Sequence, residues 1–307
     1  MKEKIIGGIM GLCVADAMGV PVEFTSRKTL AMNPVTNMRG YGTYNQPPGT
    51  WSDDTSMTLC LLHSLSGGLD YTDIMQKFLS WYKNNEYTPH GDVFDIGIAT
   101  RKALRRFAEG TPALQCGGTA EYDNGNGSLM RVLPLAFYLR ARNYGECEAF
   151  EIIHNVSSLT HAHKRSQIAC GIYLSVAECL FDAADLNAAI RTGIAKAKIY
   201  YENHSNYANE LSHYDRIFRH DFANLHEDEI RSSGYVVDTL EAVLWCLLNT
   251  HSYEECILKA VNLGEDTDTV AAIAGGLAGM YYGAESIPEA WVEQIPRMEY
   301  ILQLCLR

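Results

Sequence analysis

A chain of 307 residues with 47% hydrophobic and 20% charged side chains has the balance of a folded globular protein and enough material for a sizeable core. Its net charge of −12 works against docking on nucleic acid or on an anionic membrane, because both would repel the surface before contact. The same excess of carboxylates suits hard cations, and a small anion can still be held by backbone N–H groups.

In chain order, the N-terminus starts with mixed charges and continues as a Gly-interrupted apolar stretch carrying Asp16, the pattern of neither a signal nor a transit peptide. Gly, Pro and Asn residues then predict a loop over 33–49. The segment Gly49-Thr50-Trp51-Ser52-Asp53-Asp54-Thr55 follows, placing carboxylates and hydroxyls in the first turn of a helix whose stripe runs Met57, Leu61, Leu65. Further loops are expected over 84–92 and 110–127, and a second stripe at Ile168, Ile172, Val176 and Leu180. The polar, His- and Tyr-bearing stretch 200–234 reads as a surface excursion, a set of short helices or a lid. Stripes at Val237, Leu240, Leu244, Leu247 and at Val270, Ile273, Leu277, Tyr281 complete the pattern, the last one preceded by Glu265-Asp266-Thr267-Asp268-Thr269. No segment offers alternating β-branched runs joined by tight turns, so the expected class is all-α. No linker or charge run marks a boundary, and 1–307 is expected to be one domain.

Nine cysteines are an odd count, and Cys60, Cys170, Cys179 and Cys246 lie inside apolar helical patterns, so they read as reduced core thiols. The longest apolar run, Val270 to Ala284, is too short and too Gly-rich to span a bilayer. Together these features predict a cytoplasmic protein.

The two acidic clusters use one construction twice. Ser, Thr and Asp favour helix starts because their oxygens accept free N–H groups, which accounts for one or two residues per helix. Capping does not account for Asp53, Asp54, Glu265, Asp266 and Asp268 together, since neighbouring carboxylates repel unless a cation neutralises them. Carboxylates and hydroxyls without thiolate or paired imidazole fit Mg²⁺, Mn²⁺ or Ca²⁺ better than zinc or copper, with Mg²⁺ or Mn²⁺ preferred. Two clusters that converge could hold two ions.

These residues resemble the ADP-ribosylglycohydrolase family, which includes the dinitrogenase-reductase-activating glycohydrolases and the eukaryotic ADP-ribosyl-acceptor hydrolases. The resemblance begins with Gly11-Leu12-Cys13-Val14-Ala15-Asp16-Ala17-Met18-Gly19, Pro21 and Glu23, and continues through Trp51-Ser52-Asp53-Asp54-Thr55 and Phe94-Asp95-Ile96-Gly97. Gly125-Asn126-Gly127-Ser128-Leu129-Met130-Arg131, Thr160-His161, Gly234-Tyr235-Val236-Val237-Asp238-Thr239-Leu240 and Val261-Asn262-Leu263-Gly264 follow in the family's order. It implies an all-α domain with a dinuclear Mg²⁺ or Mn²⁺ site that removes ADP-ribose from a modified acceptor, a protein or a small molecule. Ser52, Asp53, Asp54, Asp266, Asp268 and Thr269 fall on the family's metal-ligand positions. Glu265 departs from the pattern, where the family often has Gly, and could tune metal affinity or face solvent.

Cleaving the ribose bond passes through an oxocarbenium-like transition state, so a carboxylate must activate water or protonate the leaving group. Glu23, Asp54 and Asp95 are the candidates, Glu23 also as a gate, since the family's matching acid lies on a mobile loop. Asp95 could instead cap the helix beginning near Ile96. Gly97 and the run Gly125, Asn126, Gly127, Ser128 are expected to contact substrate, the run by presenting N–H groups to a pyrophosphate just before a helix. Arg131 is a possible structural partner of a carboxylate. The resemblance makes His161 a substrate contact and Tyr235 an adenine platform, while Gly275, Gly276 and Gly279 are expected to let helices approach closely. The reading is a hydrolase releasing ADP-ribose, with arginine in protein the first choice of acceptor. Two alternatives remain: a binding protein of this fold without turnover, as in related lens crystallins, and a structural protein whose clusters only cap helices.

Overall fold

Gly residues spaced along one face of helix α1 (Lys2–Gly19) decide how the protein packs, because they let a second backbone approach closer than any side chain would permit. The computed structural model describes residues 1–307, and after α1 come α2 (Arg27–Met32), α3 (Asp53–Ser66), α4 (Tyr71–Asn84), α5 (Ile98–Ala108), α6 (Pro134–Arg142) and α7 (Glu146–Ser158). The chain continues through α8 (Lys164–Leu180), α9 (Leu186–Glu202), α10 (Ala208–Leu211), α11 (Val236–Leu248), α12 (Tyr253–Asn262), α13 (Thr267–Tyr282), α14 (Glu289–Val292) and α15 (Met298–Cys305). Three isolated β-bridges are the only extended pairing, so the all-α expectation holds.

The central pair is α1 against α13. A Cβ on Gly11 would lie 2.4 Å from the Gly275 carbonyl oxygen, and one on Gly279 would lie 2.0 Å from that of Gly7. Gly275 and Gly279 thus serve the close approach expected of them, whereas Gly276 faces Leu133 and Tyr173 instead. The Tyr253 hydroxyl donates to the Gly11 carbonyl at 2.6 Å and fixes α12 across the same crossing. Membrane-like hydropathy belongs to Lys2–Val22 rather than to the Val270–Ala284 run, and 89% of that window is buried inside the protein. Burial of a Gly-rich helix on nearly every side removes the amphipathic contrast that would reveal it in the sequence.

The buried apolar side chains form one cluster of 89 residues that includes Ile9 and Cys305, so both ends of the chain share a core. All nine cysteines are free thiols. Of the readings open for 200–234, short helices are found: turns of 3-10 helix at Ser205–Tyr207, Ser212–Tyr214, Phe222–Asn224 and Glu227–Glu229 surround α10. Their anchors are polar. Tyr207 and Tyr201 bind the two ring nitrogens of His154 at 2.7 and 2.9 Å, and the Arg27 guanidinium donates to the carbonyls of Glu227, Ile230 and Leu263.

Candidate metal centre

Ser52 caps α3 by accepting the Asp54 N–H at 3.2 Å, and this is the part of the acidic clusters that capping explains. Asp53 and Asp54 make no cap, and Asp266, at the cap position of α13, accepts no N–H of its helix through its side chain. The two helix starts meet: Ser52 Oγ donates to Asp54 Oδ2 at 3.1 Å, and Thr269 Oγ1 from the other helix donates to the same oxygen at 3.3 Å. Asp54 Oδ1 and Asp268 Oδ2 are buried with no hydrogen-bond partner, and so is Glu23 Oε2. One carboxylate oxygen each of Glu23, Asp266 and Asp268 lie within 4.8 Å of one another. Burial and then the charges of neighbouring carboxylates push the Asp53, Asp54 and Asp268 carboxyls well above the usual range. Burial, followed by the charge of Asp95, pushes Glu23 up to about 9. Orphaned oxygens crowded beside like charges, with no cationic side chain of the protein among them, fit a site for divalent cations. Bound there, such ions would neutralise the carboxylates and polarise oxygen atoms of a ligand.

A second set, Glu121, His163 and Glu210, also brings potential ligands together, but Arg165 fills it. Its guanidinium contacts Glu121 and Glu210 at 2.7 Å each, so the protein supplies the cation itself.

Glu23 reaches the centre through backbone pairing. The Phe24 N–H donates to the Glu265 carbonyl at 2.7 Å and the Glu265 N–H to the Thr25 carbonyl at 2.9 Å. Glu265 sits at φ +62°, a conformation that glycine adopts without strain, and its side chain is exposed, so it faces solvent rather than the cluster. Asp95 also has positive φ and does not cap α5, whose cap position is Gly97. It accepts the Tyr44 hydroxyl, and its carboxyl is pushed up to about 6, chiefly by burial.

A cavity of about 280 Å³ opens over the centre. Glu23, Asp53, Asp95, Asp266 and Thr269 line it together with Gly97, Gly125, Asn126, Gly127 and His161. Asp54, Asp268 and Ser52 do not line it, which separates Asp54 from the acid/base candidates that do, Glu23 and Asp95. Asn126 Nδ2 donates to Asp266 Oδ2 at 2.7 Å and to Thr239 Oγ1 at 3.0 Å, so the amide holds a candidate metal ligand. The segment before α6 is a turn, not a helix start: the Met130 N–H returns to the Asn126 carbonyl, and α6 begins later, at Pro134. The amides of Gly127, Ser128 and Leu129 donate to no backbone carbonyl. The Ser128 hydroxyl points away, accepting from Ser157 Oγ at 3.0 Å in the core. Arg131 is fully buried and binds the Gly127 carbonyl and Thr160 Oγ1, not a carboxylate. His161 packs against Gly127, where a Cβ would come within 2.8 Å of its ring. Burial pushes this imidazole down to about 3, so it stands neutral. Tyr235 is absent from the cavity wall, and its hydroxyl accepts from Arg165 at 2.9 Å.

Comparison with known proteins agrees with this geometry. The model of the ADP-ribosylglycohydrolase family matches residues 1–307. The chain belongs to the ADP-ribosylglycohydrolase family. It is 33% identical to the ADP-ribosylarginine hydrolase Tri1 of Serratia proteamaculans, over 98% of this chain and 78% of that protein. It is 31% identical to the ADP-ribosyl-[dinitrogen reductase] glycohydrolase of Rhodospirillum rubrum, over 96% and 91%. A solved structure described as an ADP-ribosylglycohydrolase-related protein complex superposes with a TM-score of 0.80 at 30% identity, covering 99% of this chain and 96% of that one. The protein is thus a glycosidic-bond hydrolase of the ADP-ribosylglycohydrolase type with a candidate divalent-metal centre.

Two residues of this glycohydrolase escape a reading of its clusters. Asp16 accepts the N–H groups of Ser52 and Thr55 at 3.0 Å and the Thr55 hydroxyl at 2.6 Å, so it sets the first turn of α3 from α1. A lone carboxylate within an apolar helix was the available signal. Asp16→Ala should lower stability by about 3 kcal/mol, because three buried donors lose their acceptor. An unchanged urea midpoint would show that this anchor is dispensable. Tyr44, in the 33–49 loop, gave no periodic signal at all.

Proposed function

We propose that this glycohydrolase removes ADP-ribose from an ADP-ribosylated acceptor, with arginine in protein the first choice and free ADP-ribose the product. The reading rests on one observation: two helix starts distant in sequence share Asp54 Oδ2 next to a cavity lined by Glu23, Asp53, Asp266 and Thr269 as well as by glycines, Asn126 and neutral His161. In this reading Ser52, Asp53, Asp54, Asp266, Asp268 and Thr269 hold two divalent ions, Mg²⁺ or Mn²⁺, which supply charge neutralisation and a polarised water when bound. Glu23, which lines the cavity and has an unpaired buried oxygen, handles the proton, and Asp95 is oriented by Tyr44. The unpaired amides of 127–129 receive the pyrophosphate without a basic side chain. Arginine is favoured because two relatives, from Serratia proteamaculans and Pseudomonas putida, are described as ADP-ribosylarginine hydrolases. The free thiols accord with a cytoplasmic setting.

A panel of arginine-, serine- and nucleotide-linked ADP-ribose substrates, assayed with Mn²⁺, Mg²⁺ and chelator, tests the proposal. Release of ADP-ribose from the arginine-linked substrate should require metal, and Asp53→Ala and Asp268→Ala should each lower kcat by about a thousandfold or more. Full activity in either variant would refute the metal mechanism. ADP-ribose binding without turnover of any substrate would leave the non-enzymatic alternative in its place.

A further inference from the structure

Beside the active-site cavity, a groove of about 620 Å³ runs between α4 and α5, and Ile98, which is 72% exposed, lines both spaces. Leu79 and Tyr82 contribute apolar surface, and Lys83, Arg101, Lys102 and Arg105 supply the charge. The chain carries 37 acidic against 25 basic residues, yet these four cations line one groove in which Glu109 is the only acid. None of the four takes part in an ion pair within the protein. The helix dipole accounts for Arg105, which stands in the last turn of α5. It does not account for Arg101 and Lys102, which lie in the N-terminal half of that helix, where cations are disfavoured and the first turn has no acid to offset them. Lys102 reaches only the face of exposed Tyr122, 5.6 Å from its centroid, and Tyr122 also lines the cavity.

We infer that this groove docks an acidic stretch of the protein acceptor next to the ADP-ribosylated residue held in the cavity. The inference rests on the proposed function and extends it to partner choice. A positive strip on a protein of net charge −12 would steer acidic acceptors toward the cavity mouth, while the remaining surface repels them elsewhere.

The test uses the full chain in two readouts. In the first, fluorescence anisotropy measures binding of an unmodified Asp/Glu-rich peptide and of a Lys-rich one. The acidic peptide should bind about tenfold more tightly at low salt, and Arg101→Glu with Arg105→Glu should abolish the difference. In the second, metal-loaded protein hydrolyses peptides bearing one ADP-ribosylated arginine with acidic or basic flanks, and free ADP-ribosylarginine. The acidic flank should lower KM about tenfold in the wild type and not in the double variant, with free ADP-ribosylarginine turned over equally by both. The milder pair Arg101→Gln and Arg105→Gln should fall between them. Equal binding of the two peptides would overturn the inference. So would a proportional loss on free ADP-ribosylarginine, which would assign the cations to ADP-ribose itself. A single-stranded oligonucleotide bound more tightly than the acidic peptide through the same arginines would overturn it in favour of nucleic acid. A protein that hydrolyses none of the substrates yet binds the acidic peptide through Arg101 and Arg105 refutes the proposed function and supports the groove.

Discussion

In chelator at neutral pH, Asp268→Asn is expected to be more stable than the wild-type protein, and in excess Mg²⁺ or Mn²⁺ less stable. Asp268 is fully buried, its Oδ1 accepts only the adjacent Thr269 N–H at 2.9 Å, and its Oδ2 has no partner. Without a cation, burial and then the charges of Glu23, Asp95, Asp54 and Asp266 penalise its ionised form, so removing the ionisable group should raise stability by about 2 kcal/mol. The sign with pH follows from the raised carboxyl. A group whose folded pKa exceeds its unfolded value contributes fully below the unfolded value and loses that contribution as pH rises, so the advantage of Asn should shrink toward pH ~4. Metal reverses the order. An ion at a hundred times its Kd adds about 2.7 kcal/mol, or about 5 °C in melting temperature for a chain of this size, and the variant should forfeit most of it. Thermal melts of both proteins, with chelator and with each ion, decide the matter. An unchanged order of stability in the two buffers would mean that the orphaned oxygens are not a cation site.

How far the sequence disclosed this arrangement depended on the kind of contact. The starts of α3 and α13 were legible because carboxylates directly precede an apolar stripe, and local spacing alone specifies that pattern. Asp16 was visible as an oddity in an apolar run, but its task is set by the N–H groups of Ser52 and Thr55, which only tertiary packing brings near. Tyr44 lies in an aperiodic loop, where nothing local distinguishes a tyrosine that binds Asp95 from one that faces water. The helix start after Ser128 was misplaced for a different reason. Asn-Gly followed by small residues looks like a helix entry, yet the legible start was Pro134, whose fixed φ suits the first helical position and whose missing N–H costs nothing there. Glu265 is explained by backbone geometry: its left-handed position is one that favours glycine, and its side chain is exposed to solvent.

Gly19→Ala should uncouple the metal centre with a single methyl group. The C-terminus of α1 lies so close to the N-terminus of α13 that a Cβ on Gly19 would be 2.3 Å from Asp268 Cα and 2.4 Å from its nitrogen. Neither atom can swing aside as the end of a flexible side chain would. The Thr267 hydroxyl, donating to the Gly19 carbonyl at 2.8 Å, ties the same two backbones together. Relief must therefore come from moving the segment that carries Asp266, Asp268 and Thr269. A displacement of about 1 Å at a reacting centre is enough to lower kcat by about a hundredfold. Overpacking should also cost about 1–3 kcal/mol of stability, and the metal-induced rise in melting temperature should largely vanish. Gly11→Ala provides the discriminating comparison, because its Cβ would come 2.4 Å from the Gly275 carbonyl oxygen, in the same helix crossing but away from the ligands. It should lose similar stability yet keep its response to metal. Gly67→Ala, where the nearest atom would lie at 3.5 Å, should change neither property. If Gly19→Ala retained the full metal response, the centre would have to tolerate movement of its second helix start, and close packing of α1 on α13 would serve stability alone.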